Sequence, residues 1–154
     1  MHVSMPNFAI HLASDHAGCQ LRAQVRAHLV AEGYIVHDHG PEDGESVDYP
    51  DYGVALATAL ATDPKARGIS ICGSGIGISI AVNRFSWIRA ALVASVEAAK
   101  LARQHNDANV LALGARSIDT DLALACVEAF LITDFEGGRH QRRVDKLSVI
   151  GIER

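Results

Sequence analysis

The stretch Ile69-Ser-Ile-Cys-Gly-Ser-Gly-Ile-Gly-Ile-Ser-Ile-Ala-Val-Asn83 decides how this chain is read. It opens as a short apolar run of strand length that ends at Cys72. Gly73, Gly75 and Gly77 then form a turn in which backbone can come close to a ligand, and Gly77–Phe85 continues as a helix. A strand handed through glycines to a helix is the first half of a β-α-β unit. The free amides at such a helix start favour an anion. Cys72 stands at the handover. A thiol there either packs as a small apolar group or, beside a helix N-terminus that favours the thiolate, acts as base or nucleophile. Position alone leaves both open.

Working outward, the same alternation repeats. Asn7–Ala13 reads as a first strand, Cys19–Glu32 as an amphipathic helix ended by Gly33, and Tyr34–Asp38 as a second strand. Gly40–Asp51 is a loop rich in acid, Gly and Pro, and Tyr52–Thr62 is an alanine-rich helix stopped near Asp63-Pro64. Gly68–Cys72 is the third strand. Beyond the glycine turn come a strand at Ile88–Val93, a helix at Val96–Gln104, a fifth strand at Asn109–Leu113, a helix at Thr120–Ile132 capped by Asp119 or Thr120, and a last helix at Arg139–Leu147. Strands and helices alternating every ~15 residues predict a parallel sheet. The nearly all-apolar strands predict helices on both of its faces. The expectation is one doubly wound, Rossmann-like α/β/α domain over residues 7–154, with a five-stranded parallel sheet and a C-terminal helix, behind a leader or flexible N-terminus at 1–6. Ligands of such folds sit beyond the carboxyl ends of the strands. That directs attention to Ser14–Gly18, Gly40–Pro50, Cys72–Gly77, Ser95 and Gly114–Ser117.

Composition narrows the class. The 154 residues are 49% apolar and 21% charged, the balance of a folded globular chain. A net charge of −4 offers no global attraction for nucleic acid or an anionic membrane, and no apolar run reaches membrane-spanning length. Cys19, Cys72 and Cys126 are three, far apart and without a C-x-x-C, which argues against a disulfide framework or a structural zinc site and makes a reducing cytoplasm the expected setting. The glycine turn is not a dinucleotide fingerprint, because Ile78 stands where the third glycine belongs, and no G-K-[ST] follows.

Other residues suggest chemistry, each beside a plainer reading. His105, in Arg103-Gln-His-Asn-Asp-Ala-Asn109, can exchange protons near neutral pH or merely complement a helix C-terminus. Arg139 and Arg143 are four apart, so on a helix their guanidinium groups share a face and suit a phosphate; a solvated basic face is the alternative. Arg116 is a third candidate for that phosphate. Asp15-His16 follow the first strand, where Asp15 also suits a helix cap. His37 and His39 alternate on one strand face, as two metal ligands would, but no third ligand is evident. Asp48-Tyr-Pro-Asp-Tyr52 offers a phenol and carboxylates or simply a helix cap. Cys19 and Cys126 fall inside amphipathic helices and read as packing.

Taken together, Ser14-Asp-His-Ala-Gly18, Asp48-Tyr-Pro50, Cys72-Gly-Ser-Gly-Ile-Gly-Ile-Ser79, Arg103-Gln-His-Asn-Asp-Ala-Asn109 and Glu136-Gly-Gly-Arg-His-Gln-Arg-Arg143 come in the order seen in the RpiB/LacAB sugar-phosphate isomerases. The resemblance runs from about Asn7 to Ile150 and lies nearest the type B ribose-5-phosphate isomerases. It implies interconversion of ribose 5-phosphate and ribulose 5-phosphate through a cis-enediolate, without metal or cofactor. It implies Cys72 as the base; members that use a glutamate instead carry it where this chain has Ile78. It further implies that the Gly73, Ser74, Gly75, Ile76 and Gly77 segment holds the enediolate oxygen, with Ser74 among the catalytic groups, and that His105 opens the furanose ring. His16, Arg116, Arg139 and Arg143 would bind phosphate, and Asp15, Tyr49 and Asn106 the sugar. The resemblance also implies a homodimer, or a dimer of dimers, whose sites draw on both subunits.

Two departures stand out: Ser74 where some members have Thr, and Trp87 in Phe85-Ser-Trp-Ile88 where a small residue is expected, an indole that either fills a hollow or stays at the surface. The family also covers galactose 6-phosphate, and allose 6-phosphate or erythrulose 4-phosphate are further candidates. A non-catalytic sugar-phosphate sensor on the same fold is the reading from another class.

Overall fold

The computed structural model describes residues 6–151, so most of the 1–6 leader expectation lies outside the described residues. Five strands, β1 (Ile10–Ser14), β2 (Val36–Asp38), β3 (Arg67–Cys72), β4 (Ala90–Leu92) and β5 (Val110–Gly114), form one parallel sheet in the order β2-β1-β3-β5-β4. Among the described residues six helices accompany them: α1 (Cys19–Ala31), α2 (Tyr49–Ala61), α3 (Ile76–Val82), α4 (Val96–Asn106), α5 (Thr120–Ile132) and α6 (Arg139–Leu147), with a 3-10 turn at His16–Gly18.

Side-chain alternation along β3 explains the layering. Ile69 and Ile71 point into the larger core, with Leu12, Leu29, Leu111, Leu113 and Phe130, beneath α1, α4 and α5. Gly68, Ser70 and Cys72 point to the other face. Small residues there let α2 and α3 lie close, and the smaller core of Ala13, Leu56, Ala57, Leu60 and Val82 fills the gap. The chain winds outward from β1 to β2 and then crosses to β3. The carboxyl ends of β1 and β3 therefore flank the crevice where the winding reverses, and Asp15 N bonds Ile71 O across it at 3.1 Å.

The fold class, strand count and final two helices are as expected. Several boundaries differ. α2 begins at Tyr49, three residues before the expected Tyr52, because Pro50 fits the first turn of a helix, where its missing N–H costs nothing. α3 stops at Val82, and the Asn83 side chain then bonds both N and O of Ala90, tying the helix end to β4. α4 continues to Asn106 before Asp107 ends it in a left-handed conformation, so His105 belongs to a helix rather than a loop. Trp87 is half-docked: its indole donates to Ala57 O at 2.8 Å and leans on Phe85, yet it stays partly exposed.

Candidate functional site

At the carboxyl end of β3, Cys72 is buried, with 4% of its surface accessible. Its Sγ accepts a hydrogen bond from Gly75 N at 3.2 Å, and Ser74 Oγ accepts one from Ile76 N at 3.2 Å. The turn needs glycine at 75. Its φ is +77°, and a Cβ there would stand 2.8 Å from Leu113 C. With the Gly75 amide on Cys72 Sγ and the Ile76 amide on Ser74 Oγ, the remaining first-turn donors of α3 begin at Gly77. The Tyr49 ring lies flat against that residue, so close that a Cβ on Gly77 would meet its Cζ at 2.6 Å. Arg116 N bonds Gly73 O at 2.9 Å, which brings the Arg116 guanidinium over Gly73. Cysteine, hydroxyl, phenol and guanidinium thus surround one glycine turn.

The loop after β1 completes this edge. Asp15 caps the 3-10 turn, not α1 itself, by accepting from Gly18 N at 3.2 Å. His16 is exposed and engages the Val47 backbone through Nδ1, at 3.1 Å to N, which leaves Nε2 facing outward. Arg22 binds these loops together and was not foreseen. It is buried, pairs with Asp38 at 3.0 Å, and donates to Ser14 Oγ and Pro41 O. The only sequence signal was an arginine on the apolar face of α1, one residue from Leu21.

The other candidates lie at the opposite end. α4 runs back from the carboxyl ends of the strands, so its last turn delivers His105 and Asn106 to the amino end. Asn109 O there accepts from Gly68 N at the start of β3. His105 stacks on His140 of α6, centroids 4.4 Å apart and planes 13° apart, and both Nε2 atoms approach Glu136 Oε1, at 3.6 and 3.8 Å. Arg139 and Arg143 are exposed on the same helix as His140. Neither Glu136 nor His140 was singled out from the sequence, since about 30 residues separate them from His105.

Within one chain, then, Asp15, His16, Tyr49, Cys72, Gly73–Gly77 and Arg116 gather at one end of the sheet, and His105, Asn106, Arg139 and Arg143 at the other. The six residues of β3 put roughly 16 Å between those ends. A cleft of about 720 Å³ belongs to the amino end. Asn83, Arg84, Phe85, Arg89 and Asn106 help line it. It contains no thiol or histidine, so the chemistry is better located by the side-chain clusters than by the cavity.

His37 and His39 do not make the metal pair their spacing suggested. Both stack on His11, at 4.8 and 5.1 Å, and His11 Nδ1 shares a hydrogen bond with His39 Nε2 at 2.8 Å. Burial first, then His39 and His37, push His11 down to about 4. Cys19 and Cys126 are buried as expected, and burial pushes the Cys126 thiol up, away from reactivity. Ser95 caps α4 by accepting from Ala98 N.

Comparison with known proteins agrees in fold and sequence. Residues 10–147 match the family model described as Ribose/Galactose Isomerase. The chain is 45% identical over 141 residues to ribose-5-phosphate isomerase B of Escherichia coli K12, covering 92% of this chain and 95% of that protein. Among solved structures, the Thermotoga maritima ribose 5-phosphate isomerase is 45% identical with a TM-score of 0.89, over 92% of this chain and 98% of that one. The Mycoplasma genitalium ribose-5-phosphate isomerase B with bound ribulose-5-phosphate is 42% identical with a TM-score of 0.88, over 92% and 95%. Among the described residues, no helix is long and apolar enough to cross a membrane.

Proposed function

The chain belongs to the ribose/galactose isomerase family, and from that premise we propose that it interconverts ribose 5-phosphate and ribulose 5-phosphate without a metal, using Cys72 as the base. The observation that carries this is the Cys72 turn: a buried sulfur oriented by an amide, beside a hydroxyl, a helix start and an arginine. A proton on carbon next to a carbonyl is weakly acidic, so the reaction needs fixed donors where the enediolate charge appears. The first-turn amides of α3 and the Ser74 hydroxyl supply them. The Cys72 thiolate takes the C2 proton and returns it to C1. His105 opens the ring by moving a proton between the anomeric hydroxyl and the ring oxygen. Arg116, Arg139, Arg143 and His16 hold the phosphate, and Asp15, Tyr49 and Asn106 the sugar, so that C1 and C2 face the sulfur.

This assignment requires a second copy of the chain. Two ends of one sheet roughly 16 Å apart do not share a substrate, but the carboxyl end of one copy can meet the amino end of another. The α2/α3 side supports such docking: Val54, Ile76, Ile80 and Leu92 are apolar and exposed around the Cys72 turn. A homodimer with composite sites follows.

The test is turnover of ribose 5-phosphate by EDTA-treated protein beside its Cys72→Ala variant. Galactose 6-phosphate, allose 6-phosphate and erythrulose 4-phosphate run in parallel. Metal-free turnover of ribose 5-phosphate, cut by about 10³-fold or more in the variant, is the expected result. Preference for another sugar would move the substrate and keep the mechanism. Tight binding with no turnover of any of them would replace the enzyme with a sensor.

A further inference from the structure

His105, Glu136 and His140 form a side-chain group that ring opening by His105 does not by itself explain. They come from three elements: the last turn of α4, the segment before α6, and the first turn of α6. Their backbone is fixed. Glu136 N donates to Gln104 O at 3.0 Å, His140 N to Gly137 O at 3.0 Å, and Arg103 Nε to Thr133 O at 3.2 Å. The three ligand atoms all lie within 4.8 Å of one another. In a tetrahedral zinc site with bonds near 2.1 Å, ligand atoms stand about 3.4 Å apart. The two observed nitrogen–oxygen separations, 3.6 and 3.8 Å, need to close by only a few tenths of an ångström.

The donor set selects the ion. Two imidazole nitrogens and one carboxylate oxygen suit a borderline divalent transition ion and not magnesium or calcium, which take oxygen. His140 is ready to donate a lone pair. Its Nε2 already faces Glu136 Oε1 at 3.8 Å, the side on which an ion would sit. The stacked rings aim their lone pairs in parallel, so one must turn. His105 is the more exposed of the two and has that freedom. Arg139 and Arg143 share the helix of His140, and their positive charge weakens the hold of the group on a dication.

We infer that His105, Glu136 and His140 bind a divalent transition ion of the zinc class, reversibly, and that a bound ion takes His105 out of the isomerisation. The binding stands on geometry alone. The inhibition rests on the assignment of His105 under Proposed function.

The experiment uses the full chain, stripped with EDTA and titrated with cobalt(II) followed by its visible spectrum, and with zinc by calorimetry, both without substrate. Wild type and Cys72→Ala should each take one ion per chain with a tetrahedral cobalt spectrum. Glu136→Gln, at an exposed position, should weaken binding by about tenfold or more. His140→Gln should do the same once circular dichroism shows that it folds. Zinc should then inhibit ribose 5-phosphate turnover at the concentration where it binds, with Glu136→Gln shifting both together. An octahedral cobalt spectrum, unchanged affinity in Glu136→Gln, or loss of binding in Cys72→Ala with a sulfur-to-cobalt band would overturn the site. Binding that leaves turnover untouched would overturn the inhibition. Binding by a metal-free protein that turns over no sugar phosphate would sink the isomerase reading while leaving the site in place.

Discussion

The two ends of the sheet hold their functional groups by different means. At the carboxyl end the backbone does the positioning. Gly75 is confined to a left-handed conformation, its amide orients Cys72, and Arg116 is placed by its own N–H on Gly73 O. At the amino end side chains position one another, with one imidazole stacked on a second and a half-exposed glutamate between them. Backbone-built geometry tolerates almost no substitution at its glycines. Side-chain-built geometry tolerates change but yields to pH, ions and neighbours. Under the proposed mechanism, the demanding step, carbon deprotonation, falls at the rigid end and the easier oxygen proton transfers at the adaptable one.

The sharpest way to break this comparison is subunit complementation. Cys72→Ala and His105→Ala should each be nearly inactive as pure proteins. After mixing with subunit exchange, half the dimers pair one variant with the other, and each such dimer holds one intact site. Turnover should recover to about a quarter of wild type. A mixture that stays inactive would place both residues in a site made by one chain.

A smaller effect tests how the carboxyl end is held. Arg22→Met removes a buried guanidinium from Asp38, Ser14 and Pro41, leaving a partly buried carboxylate unpaired. It should cost about 2–4 kcal/mol by urea denaturation and raise KM through the loosened loops. Unchanged stability would show that loop packing alone holds this edge.

The histidine stack at the edge of the sheet predicts a pH dependence. His11 is pushed down from 6.5 to about 4 when folded, by burial, His39 and His37, with Asp63 opposing. The unfolded chain therefore takes up the proton first. The stabilisation is complete above pH 6.5, is lost progressively as pH falls toward 4, and changes no further below that. Melting temperature measured from pH 7.5 to 4 should fall through this window, and less steeply in His11→Asn. Equal slopes for the two proteins would remove His11 as the cause. The smallest expected effect is at Trp87: Trp87→Phe keeps the contact with Phe85 but loses the bond to Ala57 O, about 1 kcal/mol in thermal or urea unfolding.

What the sequence showed follows from the range of each signal. α5 and α6 were placed to the residue because their starts are local: Asp119 accepts from Leu122 N, and Gly138, at φ +53°, precedes Arg139. The start of α2 was missed because Tyr49-Pro50 reads as a loop until the proline is placed in a helix's first turn. His11 was hidden inside an apolar strand, where nothing in the linear pattern reveals its register with His37. The Cys72 turn was legible because strand, glycines and helix are contiguous. The Glu136–His140–His105 group was not, because α4 and α6 meet only in the folded chain. Likewise, the location of His105 at the far end of the sheet depends on the direction of α4, a property of topology and not of any motif.

The roughly 16 Å span of β3 also bears on how activity would scale. No hinge or loop movement within a chain carries His105 around the sheet to Cys72. If both serve one reaction, the catalyst is the pair of chains, and the single chain is only half of it. Rate would then follow the square of protein concentration below the dissociation constant and become proportional to it above. Specific activity measured across a dilution series would report the strength of the subunit contact, with turnover itself as the probe of assembly.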